Sequence, residues 1–388
     1  MRLNSKEIEK IKFRFDVDEL WSYSRIEKYK TSPYEYFLRY IKHEKPNGEI
    51  DSAYAPLGGV AHDILEKLYT GQIDYKDMFD EFNDMWTMNI SVMDFKFNRS
   101  ESEKNDSIKI KYYNDLEHFF KHHDMIPYKV MNEKFVTTVI SEVDKIVFQG
   151  YIDAIYKDDD GNYNIIDWKT STKYSGNSIK DHAAQLILYA AALHQMNIPF
   201  DKIKVGWNFI KYVNVGCLQI NGKWKVSIIE RCQIGEKLQN KVKTWLKKLG
   251  YDQESTDKYL EQMIVDNDIK CLPDDVREKF DISDCYVYLD DDLEQSFNFL
   301  RDEIIDIIHE IRHKEDEYRK SKDDHVWYDD DESLKKQSYY FTNLSEYSIN
   351  QLKPYKEYLE RQEQEKSDPF QMASSSKSSD DFSWLNDI

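Results

Sequence analysis

The sequence predicts an α/β (α+β) fold, a central sheet flanked by helices with helical additions at both ends. Up to about residue 128 the apolar residues fall at helical spacing. From residue 133 the chain becomes rich in Val, Ile, Phe and Tyr in partial alternation, as strands require. Toward the C-terminus the helical spacing returns, with one long charged helix near 293–320.

Residues 1–20 read as a short charged lead-in. Ser22 to Tyr40 reads as a helix, a break at Ser32-Pro33, and a second helix with its proline in the first turn. Leu57-Gly58-Gly59 reads as a turn before a helix over Val60–Tyr69, with Val60, Ile64, Leu65 and Leu68 on one stripe. Strands are expected at Phe135–Ile140, Lys145–Tyr156 and Tyr163–Lys169, the last two joined by a turn over residues 157–162. A helix over Lys180–Gln195 follows, then strands at Ile203–Val213, Cys217–Ile220 and Lys223–Ile229, with Asn221-Gly222 as a hairpin signal. The remainder to about residue 360 reads as mostly helical, and Met372 onward as a Ser-rich linker with an acidic tip. The expected parts are 1–130, a helical N-terminal part; 131–215, a core; 216–371, a hairpin and helical part; and 372–388, a tail.

With 388 residues, 40% hydrophobic and 14% aromatic, the chain can bury a substantial core. The longest nearly apolar run, Ala183–Leu193, falls far short of the roughly 20 residues of a membrane helix. No apolar stretch follows the charged N-terminus, so a soluble, cytoplasmic protein without a membrane partner is expected. Cys217, Cys232, Cys271 and Cys285 show no C-x-x-C spacing and read as free thiols in a reducing compartment. No Gly-x-x-x-x-Gly-Lys-Ser/Thr occurs, so no P-loop motor is expected.

Asp167-Trp168-Lys169 ends an apolar strand, and residues two apart project to one face. A carboxylate to hold a hard cation and an ammonium beside it suit metal-assisted hydrolysis. Asp74-x-Lys76, Asp94-x-Lys96 and Asp268-x-Lys270 repeat the pattern and read as surface charge. Context separates them. Asp153 lies inside the preceding apolar run, and positions 153 and 167 are equidistant from residue 160 in the turn. An antiparallel hairpin therefore sets the two acids face to face, to within about one residue of register. Such a pair repels unless a metal or Lys169 compensates it; the bland alternative is a salt-bridged Asp153. Gln185 and Tyr189 share a helical face, as do His62 and Glu66, which read either as internally bonded polar groups or as site residues.

These residues together resemble the RecB-like branch of the PD-(D/E)XK nucleases, related to the nuclease domains of CRISPR adaptation and AddB-type proteins. The motifs are Gly58-Gly-Val-Ala-His62-Asp-Ile-Leu-Glu66, Gly150-Tyr-Ile-Asp153, Ile166-Asp167-Trp-Lys169-Thr170 and Gln185-Leu-Ile-Leu-Tyr189, with Ser22-Tyr-Ser-Arg-Ile and Ser32-Pro33-Tyr-Glu-Tyr-Phe upstream. The resemblance implies a restriction-endonuclease-like mixed central sheet. It implies that His62, Asp153, Asp167 and the main-chain carbonyl of Trp168 bind Mg²⁺ or Mn²⁺. It makes Asp153, Asp167 and Lys169 catalytic and gives Gln185 and Tyr189 to the nucleic acid. The implied activity is a DNA exonuclease in recombination, repair or replication of a bacterium or its bacteriophage, with RNA left open. Many relatives hold an iron–sulfur cluster on cysteines; Ser32, Thr342 and Ser345 stand where some of those would fall, so no cluster is expected.

The net charge of −19 argues against broad coating of DNA but leaves room for a local basic groove. A catalytically silent DNA-binding scaffold and an acidic DNA mimic are the competing readings. The tail 380–388, with Phe382, Trp384 and Leu385 among acids, reads as a docking segment for a replication or recombination protein, or as a solvating tail.

Overall fold

The computed structural model describes residues 3–47, 52–93, 95–97, 101–176 and 178–367. The Ser-rich linker, the 380–388 tip and Asp94 lie outside the described residues. Two compact units form: Met1–Tyr23 with Asp51–Ile307, and Ser24–Ile50 with Ile308–Ile388.

The first unit is built on a six-stranded sheet: β1 (Met131–Ser141), β2 (Ile146–Lys157), β3 (Tyr163–Lys169), β4 (Ile203–Leu218), β5 (Trp224–Glu230) and β6 (Phe280–Tyr288). β1, β2 and β3 form an antiparallel meander, and β3 runs parallel to β4. A parallel step needs a crossover, which the helical stretch Ser178–Gln195 supplies, broken once at Ala183. β5 and β6 both pair antiparallel with β4. The sheet is mixed and flanked by helices, as the sequence predicts. The helix Ala184–Gln195 packs against β1, β3 and β4. The helices Tyr54–Tyr69, Met78–Trp86 and Asn105–His122 share a core with Ala154, Ile166, Trp168 and Ile210. All four cysteines are free thiols. Among the described residues no helix is long and apolar enough to cross a membrane.

Four local expectations are corrected. The charged lead-in contains a helix, Ser5–Phe15, started by a capping box between Asn4 and Glu7. Its Ile8, Ile11 and Phe15 pack on Val17, Leu20 and Val147, and Trp21 extends the sheet by bonding Val147 and Gln149. Gly58-Gly59 is no turn: the helix Tyr54–Tyr69 runs through it. The strands expected at 203–213 and 217–220 are a single strand, β4. β6, inside a stretch read as helical, is a strand whose pattern is interrupted by buried Asp284.

In the second unit Ser32 caps the helix Pro33–Tyr36, accepting from the Glu35 N–H at 3.1 Å and donating to Asp329 at 3.0 Å. Glu35 is fully buried and accepts from Lys28 (2.7 Å), Tyr340 (2.6 Å) and Ser345. Trp327 stacks on Tyr36 and Phe37. Hydroxyls and acids thus bond to one another in this region. Burial pushes the Asp329 carboxyl up to about 7, against the hydrogen bond from Ser32. A carboxyl raised above its unfolded value binds more protons in the native state, so it subtracts stability as pH rises through its window. Asp329→Asn should therefore gain stability over the wild type between about pH 4 and 7, levelling off above that, by about 1–3 kcal/mol. Urea unfolding across this pH range measures the difference; a constant offset would contradict it.

Candidate active site

The β2–β3 ladder pairs Lys157 with Tyr163 and Ala154 with Ile166. One step further, Asp153 stands opposite Asp167, and its Oδ2 accepts from the N–H of Trp168 at 3.2 Å. On the other side of β2, Asn132 pairs with Ala154 and Lys134 with Ile152, which sets Glu133 across from Asp153. Glu133 has φ 47°, a left-handed backbone within a strand. Three carboxylates therefore cross β1, β2 and β3 in one row.

Cationic side chains meet this row. His62, on the helix Tyr54–Tyr69, places Nδ1 3.5 Å from Asp153 Oδ2 and Nε2 2.9 Å from the carbonyl oxygen of Trp168. Burial alone would lower its pKa, but Asp153, with Asp167 behind it, raises it to about 9. Lys169 Nζ lies 2.7 Å from Asp167 Oδ2, an ion pair that leaves this buried oxygen without an aligned hydrogen bond. Burial raises the Asp167 carboxyl to about 6 against the pull of Lys169, and Asp153 adds to the rise. Lys169 would lose charge by burial, yet Asp167 holds it protonated.

Residues 20–285 match the family model of the PD-(D/E)XK nuclease superfamily. The chain belongs to this superfamily. No match to a curated protein was found.

Nucleases of this superfamily generally use divalent metals, and the residues here fit one. Ligand atoms of His62, Glu133 and Asp153 all lie within 4.8 Å of one another, beside the under-bonded Asp167 oxygen and the Trp168 carbonyl. Oxygen-rich donors with one imidazole suit a hard cation. Among the described residues two other groups have comparable spacing. In His118–His122–Asp268, Arg231 donates to His118 at 3.3 Å and Lys270 pairs with Asp268 at 3.2 Å, so positive charge is already in place. Asp323–Asp324–His325 is largely exposed and pairs within itself.

The nuclease brings His62, Asp153, Asp167, Trp168 and Lys169 together, and Tyr189 borders them, its phenol feeling the charges of Asp153, Asp167 and Lys169. Gln185 is tied in through Tyr189, donating to its hydroxyl at 2.8 Å. A cleft of about 460 Å³ opens beside the row, lined by Tyr54, Gly58, Gly59, Glu66 and Glu133 among others. Nothing lies within 4 Å of where a Cβ on Gly59 would point, so the helix presents bare backbone there. The sequence reading missed Glu133. The signal that finds it is the same equidistance: positions 133 and 153 are equidistant from residue 143, inside the β1–β2 turn.

Gly150 explains its own place in the motif. A Cβ there would stand 2.5 Å from Cε1 of Tyr189, so the glycine makes room for the ring. Gly150→Ala should destabilise the nuclease by about 1–3 kcal/mol through this overlap. Most of that loss should disappear when it is measured in a Tyr189→Ala background by denaturant unfolding.

Proposed function

We propose that the chain is a Mg²⁺- or Mn²⁺-dependent DNA exonuclease of the RecB-like branch, working without an iron–sulfur cluster in the cytoplasm of a bacterium or on behalf of its bacteriophage. The observation that carries this reading is the row Glu133–Asp153–Asp167 with His62 and Lys169 against it. End-directed cutting, and a place in recombination, repair or replication, rest on the resemblance of the motifs.

On this reading His62, Asp153, Asp167 and the Trp168 carbonyl hold the cation, and Glu133 adds an oxygen. When bound, a divalent cation supplies Lewis-acid charge that stabilises negative charge growing on a phosphate. Lys169 is held protonated, so its part is that of a donor: it fixes a water or phosphate oxygen and meets developing charge. Asp167 keeps that ammonium in place. The Gln185–Tyr189 pair offers a neutral hydroxyl and amide at the border of the site to orient the backbone of the nucleic acid. The tail 380–388 serves as a docking segment for a replication or recombination protein.

The purified protein and its Lys169→Ala variant should be incubated with end-labelled linear and closed circular DNA, with Mg²⁺, Mn²⁺ or chelator. The wild type should degrade only the linear DNA, and only with metal. The variant should lose about 10²–10³-fold in rate while still binding cation. Cutting of circles would make it an endonuclease, and DNA binding without any cutting would make it a scaffold.

Protons compete with the cation for its ligands. The His62 imidazole, near 9, and the Asp167 carboxyl, near 6, must both lose theirs, so Mn²⁺ affinity should rise with pH from about 6 to 9. Its slope should approach about tenfold per pH unit near neutrality. Calorimetric titration of His62→Ala should show weaker binding and no rise between about pH 7 and 9. A pH-independent affinity in the wild type would contradict the ligand assignment.

A further inference from the structure

Behind the catalytic strand a chain of buried polar groups ends on Trp168. The indole lies on the opposite face of β3 from Asp167 and Lys169, because successive strand residues alternate. The chain begins at Arg231, just after β5, which is buried and bonded through all three of its guanidinium nitrogens. Its Nε donates to the carbonyl of Ile210 (2.8 Å), Nη1 to Nδ1 of His118 (3.3 Å) and Nη2 to Oδ1 of Asp284 (2.5 Å). Asp284 Oδ2 accepts from Nδ1 of His123 at 2.6 Å and from the N–H of Asp124 at 3.3 Å. Nε2 of His123 lies 2.7 Å from the hydroxyl of Tyr69, which also accepts from the N–H of Ile126 at 3.2 Å. The Tyr69 ring then lies parallel to the Trp168 indole, 8° between planes and 5.8 Å between centroids.

One assignment of protons satisfies every partner. The Asp284 carboxylate only accepts, so Nδ1 of His123 carries a proton. Nε2 is left to accept from the Tyr69 hydroxyl, whose oxygen in turn accepts from Ile126. The tyrosine is thereby held by directional bonds at one end and by stacking along its face.

Two connections make that rigidity matter at the site. Tyr69 closes the helix that carries His62, seven residues and about two turns earlier, so both lie on one helical face. The Trp168 peptide is bonded at both ends to site residues, its N–H to Asp153 and its carbonyl to the His62 ring. A buried guanidinium, carboxylate and imidazole are costly to desolvate, and apolar side chains would fill the space at less cost. Packing alone therefore does not account for them.

We propose that Arg231, Asp284, His123 and Tyr69 form a positioning relay that fixes the Trp168 peptide, and with it the spacing of His62, Asp153 and Asp167. The relay rests on the reading above, in which that peptide belongs to the cation site. None of its four members touches substrate; they act through Trp168 and are positioning residues.

Tyr69→Phe keeps the ring and its stacking and removes only the hydroxyl. In the full-length protein it should weaken Mn²⁺ binding by calorimetry about tenfold. It should lower kcat on linear DNA by a similar factor, with KM for DNA within about twofold. His123→Leu should act in the same direction, and the double variant should be no worse than His123→Leu alone, because both break the same Tyr69–His123 bond through which the relay runs. Wild-type Mn²⁺ affinity and kcat in Tyr69→Phe would overturn the relay, as would losses that multiply in the double variant. A drop in thermal stability alone, with Mn²⁺ affinity unchanged, would also overturn it. Tyr69→Phe decides the matter by itself should His123→Leu fail to fold. A wild type that binds Mn²⁺ but cuts nothing would sink the nuclease reading and leave the relay to the Mn²⁺ comparison. A wild type that binds no Mn²⁺ would sink both.

Discussion

The repulsion between Asp153 and Asp167, set face to face at the end of a buried hairpin, is the constraint around which the first unit is arranged. Two carboxylates at cross-strand distance repel and demand positive charge nearby. Burial raises the Asp167 carboxyl and the charge of Asp153 adds to that rise, while the same Asp153 charge raises His62. Register is what creates this pairing, since a slip of one residue would turn one acid to the other face. The β2–β3 turn guards that register. Asp158 accepts from the N–H and side chain of Asn162 and from Asn164, while Gly161 takes φ +82°. Partial desolvation works against the Asp158 charge, yet these bonds and Lys204 hold its carboxyl well below the usual range. A turn about six residues from the chemistry thus determines which side chains meet there.

Periodicity made the centre of this site legible. Strand alternation puts Asp167 and Lys169 on one face, and symmetry about residue 160 finds Asp153, all without knowledge of the third dimension. Glu133 obeys the same symmetry about residue 143. It stands near the start of β1, flanked by Asn132 and Lys134, where no apolar run marks a charged residue as out of place. Gly58-Gly59 misled for a physical reason. Glycine pairs usually punctuate, but here the helix keeps them where Gly58 faces Thr170 and Gly59 faces the open cleft. β6 was hidden by Asp281, Ser283 and Asp284, which look like loop and are in fact paired with β4 or bonded to Arg231 and His123.

What no local pattern could give is the layer behind the site. Tyr69, His123, Arg231 and Asp284 are separated by tens of residues, and each has a bland reading by itself. Only the packing of β6 beside β4 brings Asp284 between Arg231 and His123, and only the end of the His62 helix brings Tyr69 onto Trp168. Long-range hydrogen bonds of this kind carry no periodicity. They become visible when buried polar groups are traced to their partners one by one.

The acidity of the chain bears on how such a site could take a polyanion. The net charge is −19, and the cleft beside the row is lined by Asp63, Glu66 and Glu133. Lys67 pairs with Asp63 and Glu81, so that lysine is spent on its own surface. A phosphate approaching this cleft meets more negative than positive charge, with Lys169 already committed to Asp167. Under the nuclease reading, the cation does more than assist chemistry: it reverses the sign of the field at the point where the phosphate must sit. Binding at the scissile position is then coupled to cation binding, while contacts further along the strand stay independent of it. On that reading the acids that repel DNA when the site is bare are the same acids that draw the cation in, and that coupling restricts cutting to conditions where the cation is present.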